Sequence, residues 1–211
     1  MELTRHLGPA GLGHERQPAP LKPLGELSAQ ILRTPAERLR IAGLRRFADC
    51  VSEYELDPGM AALEKKKDKL GTVLAICEDG EPIATIRVIR SGQGLTLTER
   101  FWGHLAAGSE LLGPTSWELG RLVVAPEHRR ADLLPRCLAL AMGEFLEQED
   151  VEHFHGSCLM RMTRLYRRFG FTVVGTSDAP GGKECALIHA RVADVARVLK
   201  VTVDTPVAML H

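Results

Sequence analysis

Residues 122–130 read Leu122-Val123-Val124-Ala125-Pro126-Glu127-His128-Arg129-Arg130, and how this stretch is read decides the fold. Its three leading apolar residues, two of them β-branched, suit a short buried strand. Pro126 has no N–H to give to a ladder and ends it. The chain then passes through a basic loop reaching Asp132 and enters Leu133–Gln148, where apolar residues recur at helical spacing. Strand, loop and helix in this order leave the free N–H groups of the helix start, and the positive end of its dipole, facing the loop. A phosphate or pyrophosphate docks at such a place, and Arg129 and Arg130 would add charge-assisted bonds. A solvated basic turn has the same sequence, so the loop alone leaves both readings open.

Working outward, Thr72–Cys77 is strand-like, Asp79-Gly80 suits a tight hairpin turn, and Ile83–Ile89 returns antiparallel. Residues 95–106 read as helical and Trp117–Val124 as a further strand. Downstream come a strand at Val151–Gly156, a helix at Met160–Phe169, a strand at Phe171–Gly175, and a Gly181-Gly182 turn into Cys185–Ala190. Toward the N-terminus, Glu64–Lys69 is a charged connector. Thr34-Pro35-Ala36-Glu37 is a capping box with Pro at the first helical position. It predicts a helix from Pro35 to Val51 that buries Leu39, Leu44, Phe47 and Val51. Residues 1–33 are dense in helix breakers, among them Gly8, Pro9, Pro18, Pro20 and Pro23. They are expected to form an arm, flexible or packed on the domain, with residues 34–211 as one domain of α+β (mixed α/β) class.

Composition narrows the function classes. In 211 residues, Lys+Arg 27 balances Asp+Glu 27, so the net positive field that would favour nucleic acid is missing. A hydrophobic fraction of 45% with 26% charged residues argues against disorder. No stretch reaches the ~20 apolar residues of a bilayer span, and the N-terminus lacks a signal-type apolar core. A soluble, cytoplasmic protein is expected. Cys50, Cys77, Cys137, Cys158 and Cys185 are odd in number and form no C-x-x-C pair, which suits packing better than disulfides or a zinc ribbon. His153 and His155 share a strand face near Cys158 but lack a fourth ligand at a suggestive spacing, so no metal is expected.

A second motif lies about forty residues after the loop: Leu165-Tyr166-Arg167-Arg168-Phe169-Gly170-Phe171, a helix that ends at a glycine cap and returns at once to a strand. The Tyr166 phenol either faces a cleft or packs in the core. Together the two motifs resemble the GNAT acyltransferase superfamily over roughly Leu70–Ala190. The resemblance implies a central mixed, mostly antiparallel sheet flanked by helices. It also implies a pantetheine thioester held along Leu122, Val123, Val124, Arg129, Arg130, Ala131, Asp132 and Leu133, with Tyr166 protonating the leaving thiolate.

A further pattern surrounds these motifs: Ala84-Thr85-Ile86-Arg87-Val88-Ile89, Leu97-Thr98-Glu99-Arg100-Phe101 and Trp117-Glu118-Leu119-Gly120-Arg121. It resembles the acyl-homoserine-lactone synthases and the related N-acyl amino acid synthases, GNAT-like enzymes that take a fatty acyl chain from an acyl carrier protein. That resemblance implies a charged cluster of Asp68, Arg87, Glu118 and Arg121. Glu118 and Arg121 are three apart, so on a regular strand they face opposite sides unless a bulge intervenes. Glu118 is the better candidate for a base. Arg121 is expected to pair with Asp68 or Glu118, or to clamp a substrate carboxylate; a purely structural ion-pair network is the alternative. Asp132 and Leu134 fill positions that are small in the GNAT loop, which favours acyl carrier protein over coenzyme A as donor. Arg129, Arg130, Arg164, Arg167 and Arg168 would meet the carrier's acidic surface.

The expected activity is N-acyl transfer from a phosphopantetheine thioester, on acyl carrier protein or coenzyme A, to a primary amine such as an amino acid. The donor is a co-substrate, and no tightly bound cofactor is expected. The alternatives are an acetyl-CoA-dependent GNAT acetyltransferase and a non-catalytic module that binds acyl thioesters.

Overall fold

The computed structural model describes residues 23–48, 51–106, 112–179 and 182–202. Its sheet comprises β1 (Leu27–Ile31), β2 (Thr72–Glu78), β3 (Glu81–Arg90), β4 (Ser116–Val124), β5 (His153–Leu159), β6 (Thr172–Ala179) and β7 (Lys183–Arg191). They lie in the order β1-β2-β3-β4-β5-β7-β6, with every neighbouring pair antiparallel except β4 and β5. The hairpin between β2 and β3 turns at Asp79 and Gly80, both at positive φ, as a twist-matched two-residue turn requires. The helices are α1 (Pro35–Leu39), α2 (Ala42–Arg45), α3 (Val51–Leu56), α4 (Met60–Leu70), α5 (Leu97–Arg100), α6 (Gly103–Ala106), α7 (Leu133–Leu146), α8 (Thr163–Arg167) and α9 (Val192–Leu199).

Alternation along the strands sorts the core into two layers. One face sends Leu74, Ile76, Ile86, Trp117, Phe154 and Ile188 against Leu133, Cys137 and Phe145 of α7 and Val195 of α9. The other face carries Val73, Ala75 and Cys77 toward Ile41 and Leu44, and Cys185 and Leu187 toward Met60, Leu97 and Trp102. The parallel pair β4 and β5 is short, joining only Ser116–Glu118 to His153–His155. Beyond it the strands part. At the point of parting, a Cβ on Gly156 would stand 3.0 Å from the Leu119 carbonyl oxygen, so a residue without a side chain lets the backbones approach there.

Several expectations change. The Thr34 capping box is present, but the helix expected over 35–51 is broken at Arg40 and Ile41. Ile41 is fully buried while Leu39 and Phe47 are exposed, so the chain breaks its helix to insert Ile41 beneath β2. The charged connector at 64–69 is helical and belongs to α4. Residues 95–106 form two short helices, not one continuous one, and the strand expected at Val151 starts at His153 and runs to Leu159. Of the expected arm, residues 23–33 are packed: β1 pairs with β2, and Gly25 and Glu26 donate their N–H groups to Glu78 and Asp79. No element is expected from 192–199, yet these residues form α9. The rest of the arm, Cys50 and Gly181 lie outside the described residues. Among the described residues no helix is long and apolar enough to cross a membrane.

Candidate active site

The gap between β4 and β5 opens into a cavity of about 300 Å³. Arg87, Glu118, Arg121, Leu122, Tyr166 and Gly156 are on its walls, with Ile86, Leu119, Leu138, Phe169 and Phe171 as an apolar side. Sequence separation had hidden why Glu118 and Arg121 share this cavity. Opposite Thr85 and Arg87, β4 runs from Val123 to Gly120 and so carries one residue more than β3, and Arg121 sits at φ 52° within that bulge. A left-handed arginine is strained, and the ion pairs it makes offset the strain. The extra residue turns Arg121 from the α7 face to the face of Arg87 and Glu118.

On that face the charges form one network. Arg121 grips Glu64 with Nη2 at 2.6 Å and Nε at 3.1 Å, and donates through Nη1 to Glu53 at 2.6 Å. Arg87 forks onto the same Glu64 at 3.0 and 3.2 Å and reaches Asp68 at 2.9 Å. Buried Lys67 donates to Glu53 at 2.7 Å, and Arg45 pairs with Asp68. Among the described residues Arg121 thus binds Glu53 and Glu64, whereas Asp68, one of the two side-chain partners expected from sequence, binds Arg87 and Arg45, and Glu118, the other, binds Thr98 and Leu97. Burial is the largest influence on Glu64 and Asp68 and raises both, but the guanidinium bonds and charges together outweigh it and hold both carboxyls below their usual range. Among the described residues, Arg45, Lys67, Arg87 and Arg121 meet the carboxylates of Glu53, Glu64 and Asp68 in this network. Arg87 is 2% exposed, and its Nε is buried without a hydrogen-bond partner.

Glu118 is 7% exposed and stands apart from these forks. Its Oε2 accepts from the N–H and the hydroxyl of Thr98, each at 2.8 Å, and its Oε1 accepts from the Leu97 N–H at 3.1 Å. A carboxylate has about four lone-pair sites, so one remains, on Oε1. Burial pushes the Glu118 carboxyl up, and the Thr98 bonds only partly restrain it. Tyr166 packs edge-on against Phe171, and its phenol is pushed up to about 12 by burial and then by Cys158. It therefore keeps its proton at neutral pH. Cys158 and Cys185 also line the cavity with raised thiols, Cys158 at about 11, both through burial first, and so stay un-ionised.

The expected donor loop divides. The side chains of Val123 and Leu133 are buried, so only their backbone could meet a ligand. Arg129 is exposed and turns its Nε to the Val124 carbonyl. Asp132 stands at the helix start without a side-chain cap bond, and both its oxygens are held by Arg130 at 3.1 Å. The Leu133 N–H is bonded to the Arg130 carbonyl, and Pro135 has no N–H, which leaves few donors at the start of α7 for a pyrophosphate. His153 stacks on His189, and among the described residues no group of three or more His, Cys, Asp or Glu is placed to hold a metal.

The family profile described as N-acyl amino acid synthase FeeM matches residues 49–191. The chain belongs to the FeeM family. This N-acyl amino acid synthase family makes it an acyltransferase, of the N-acyl-transferring type found among FeeM, the acyl-homoserine-lactone synthases and GNAT enzymes. The structure of FeeM from uncultured soil microbes is similar at 17% identity, covering 82% of this chain and 94% of that one, with a TM-score of 0.62. The acyl-homoserine-lactone synthase LasI is similar at 18% identity over 86% of this chain and 99% of its own, TM-score 0.55. A GNAT-family protein from Desulfovibrio desulfuricans follows at 13% identity, 79% and 99% coverage, TM-score 0.53. At these identities the structures establish the shared GNAT-like fold. No curated protein matches the chain.

Five residues of this site in the FeeM-family chain are not evident from the sequence reading. Glu53, Glu64 and Lys67 complete the network, and Thr98 and His155 surround Glu118. Glu64, Lys67 and Asp68 stand at i, i+3 and i+4, the spacing of one helix face. That signal was present, and reading the run as a connector hid it.

Proposed function

We propose that this enzyme joins a fatty acyl group from acyl carrier protein to the amino group of an amino acid. What carries the reading is the meeting of Glu118, Arg87, Arg121 and Tyr166 on one cavity in the β4–β5 gap. The guanidinium groups of Arg87 and Arg121 suit the acceptor's carboxylate, and the one uncommitted lone pair of Glu118 suits its ammonium. With its pKa raised toward working pH by burial, Glu118 takes the amine proton. The amine nitrogen attacks the thioester carbonyl. As the C–N bond forms and the C–S bond breaks, Tyr166 gives its proton to the leaving sulfur and takes back the second proton that the nitrogen sheds in becoming the amide, and β4 backbone N–H groups near Leu122 support the oxyanion. The acyl chain follows the apolar wall of Ile86, Leu119, Leu138, Phe169 and Phe171, which also bounds a smaller apolar cavity of about 50 Å³.

Carrier protein is favoured over coenzyme A because the loop offers few free N–H groups to a pyrophosphate and places Asp132 beside it. Exposed Arg129, Arg164, Arg167 and Arg168 offer positive charge to an acidic carrier. The test is intact-mass detection of N-acyl products from an amino-acid pool, with acyl carrier protein and matched acyl-CoA donors compared. Faster turnover of the carrier-linked donor is expected. Equal turnover of the two would return the enzyme to coenzyme A, and no product from either would refute acyl transfer to amino acids.

A further inference from the structure

Glu118 is not held by the arginine network but by a separate buried chain on the same sheet face. Thr98 Oγ1 lies 2.8 Å from Glu118 Oε2 and 2.8 Å from His155 Nδ1, and His155 Nε2 lies 2.9 Å from Ser91 Oγ. Thr98 and His155 are fully buried and Ser91 is 5% exposed. A hydroxyl has one proton. It can point to an ionised Glu118 only if His155 Nδ1 carries a hydrogen and donates to Thr98; Nε2 must then accept from the Ser91 hydroxyl. With Glu118 ionised, every group in the chain is satisfied in that polarity. With Oε2 filled by the N–H and O–H of Thr98, the only basic position left on the carboxylate is on Oε1.

We infer that Thr98 is a positioning residue for the transfer, its hydroxyl aimed at Glu118 by His155 and Ser91 so that the carboxylate stays ionised and presents Oε1 to the acceptor amine. The inference rests on the proposed role of Glu118 as base. The charged and titratable groups around the chain are Lys67 of α4, which favours the Glu118 anion, Glu99 of α5, which favours a charged His155, and His153 and His189, which oppose it. Burial outweighs Glu99, so the ring is neutral and carries the single N–H that the chain requires.

The test is the pH profile of kcat for the full chain and its Thr98→Val, Thr98→Ser and His155→Asn variants, all with one donor and one acceptor. Thr98→Val, nearly isosteric, should lower kcat on the acidic limb about tenfold, the effect of one lost bond to a charged group. It should also move that limb to higher pH and leave both KM values within about twofold. Thr98→Ser should restore the wild-type profile, and His155→Asn should have no further effect in the Thr98→Val background. If Thr98→Val does not fold, Ser91→Ala at the far end should shift the limb in the same direction. An unmoved limb, a failed serine rescue, or a His155→Asn effect of equal size in both backgrounds overturns the inference. Wild-type chain that transfers no acyl group refutes the function reading, and this inference with it, and is told apart by its zero rate.

Discussion

Acid should weaken this protein through one buried ring. His155 is fully buried, and its pKa is pushed down to about 3, chiefly by burial and then by His189, although Glu99 pulls the other way. The unfolded chain takes up a proton at this histidine below about pH 6.5, whereas the folded chain refuses it until about pH 3. Its contribution to stability is therefore complete above about pH 6.5 and lost progressively as pH falls toward 3. A pH of about 5 lies roughly 1.5 units below the ordinary value of the unfolded ring, and at about 1.36 kcal/mol per unit the loss is about 2 kcal/mol. Glu64 and Asp68, held below their usual range, also lose stability in acid, but they do so in every variant. Urea unfolding at about pH 7 and about pH 5, for wild type and His155→Asn, isolates the ring by difference. Wild type should lose about 2 kcal/mol more than the variant across that interval. Equal losses in the two chains would mean that His155 titrates normally, and the neutral ring inferred beside Thr98 would fall with it.

Glu118→Gln should cut kcat about a hundredfold or more with donor affinity unchanged, the usual scale for a lost general base, and steady-state kinetics would show it. Glu64→Gln removes the carboxylate gripped by both Arg87 and Arg121; breaking one partner of such buried pairs costs about 3 kcal/mol or more, measurable as a lower urea midpoint. Gly156→Ala sets a methyl 3.0 Å from the Leu119 carbonyl oxygen, so a loss of about 1 kcal/mol or more in stability and a raised donor KM are expected from unfolding and kinetic measurements. Reversing exposed Arg167 and Arg168 to Glu should slow turnover with acyl carrier protein and flatten its salt dependence, while an acyl-CoA donor responds little.

The strand, loop and helix at 122–146, the hairpin at Asp79-Gly80 and the cap at Thr34 were legible because each depends on neighbours a few residues away: an apolar run, a turn dipeptide, a capping box. The family resemblance was legible for the same reason, since Trp117-Glu118-x-x-Arg121 and Leu165-Tyr166 are local patterns. Which carboxylate meets which guanidinium was not. That choice depends on a single extra residue in β4, which turns Arg121 to the face of α4, and on Glu64–Lys67–Asp68 being helical there. Hydrophobic spacing also could not foretell that Ile41, and not Leu39 or Phe47, would be buried, because the space it fills is made by β2, some thirty residues on. The chain Glu118–Thr98–His155–Ser91 joins three segments far apart in sequence. Local composition determines which elements form and which side chains are available, because propensity and turn chemistry act over a few residues. Only the packed sheet decides which of those side chains share a buried space, because burial and hydrogen-bond satisfaction are settled between strands, not along them.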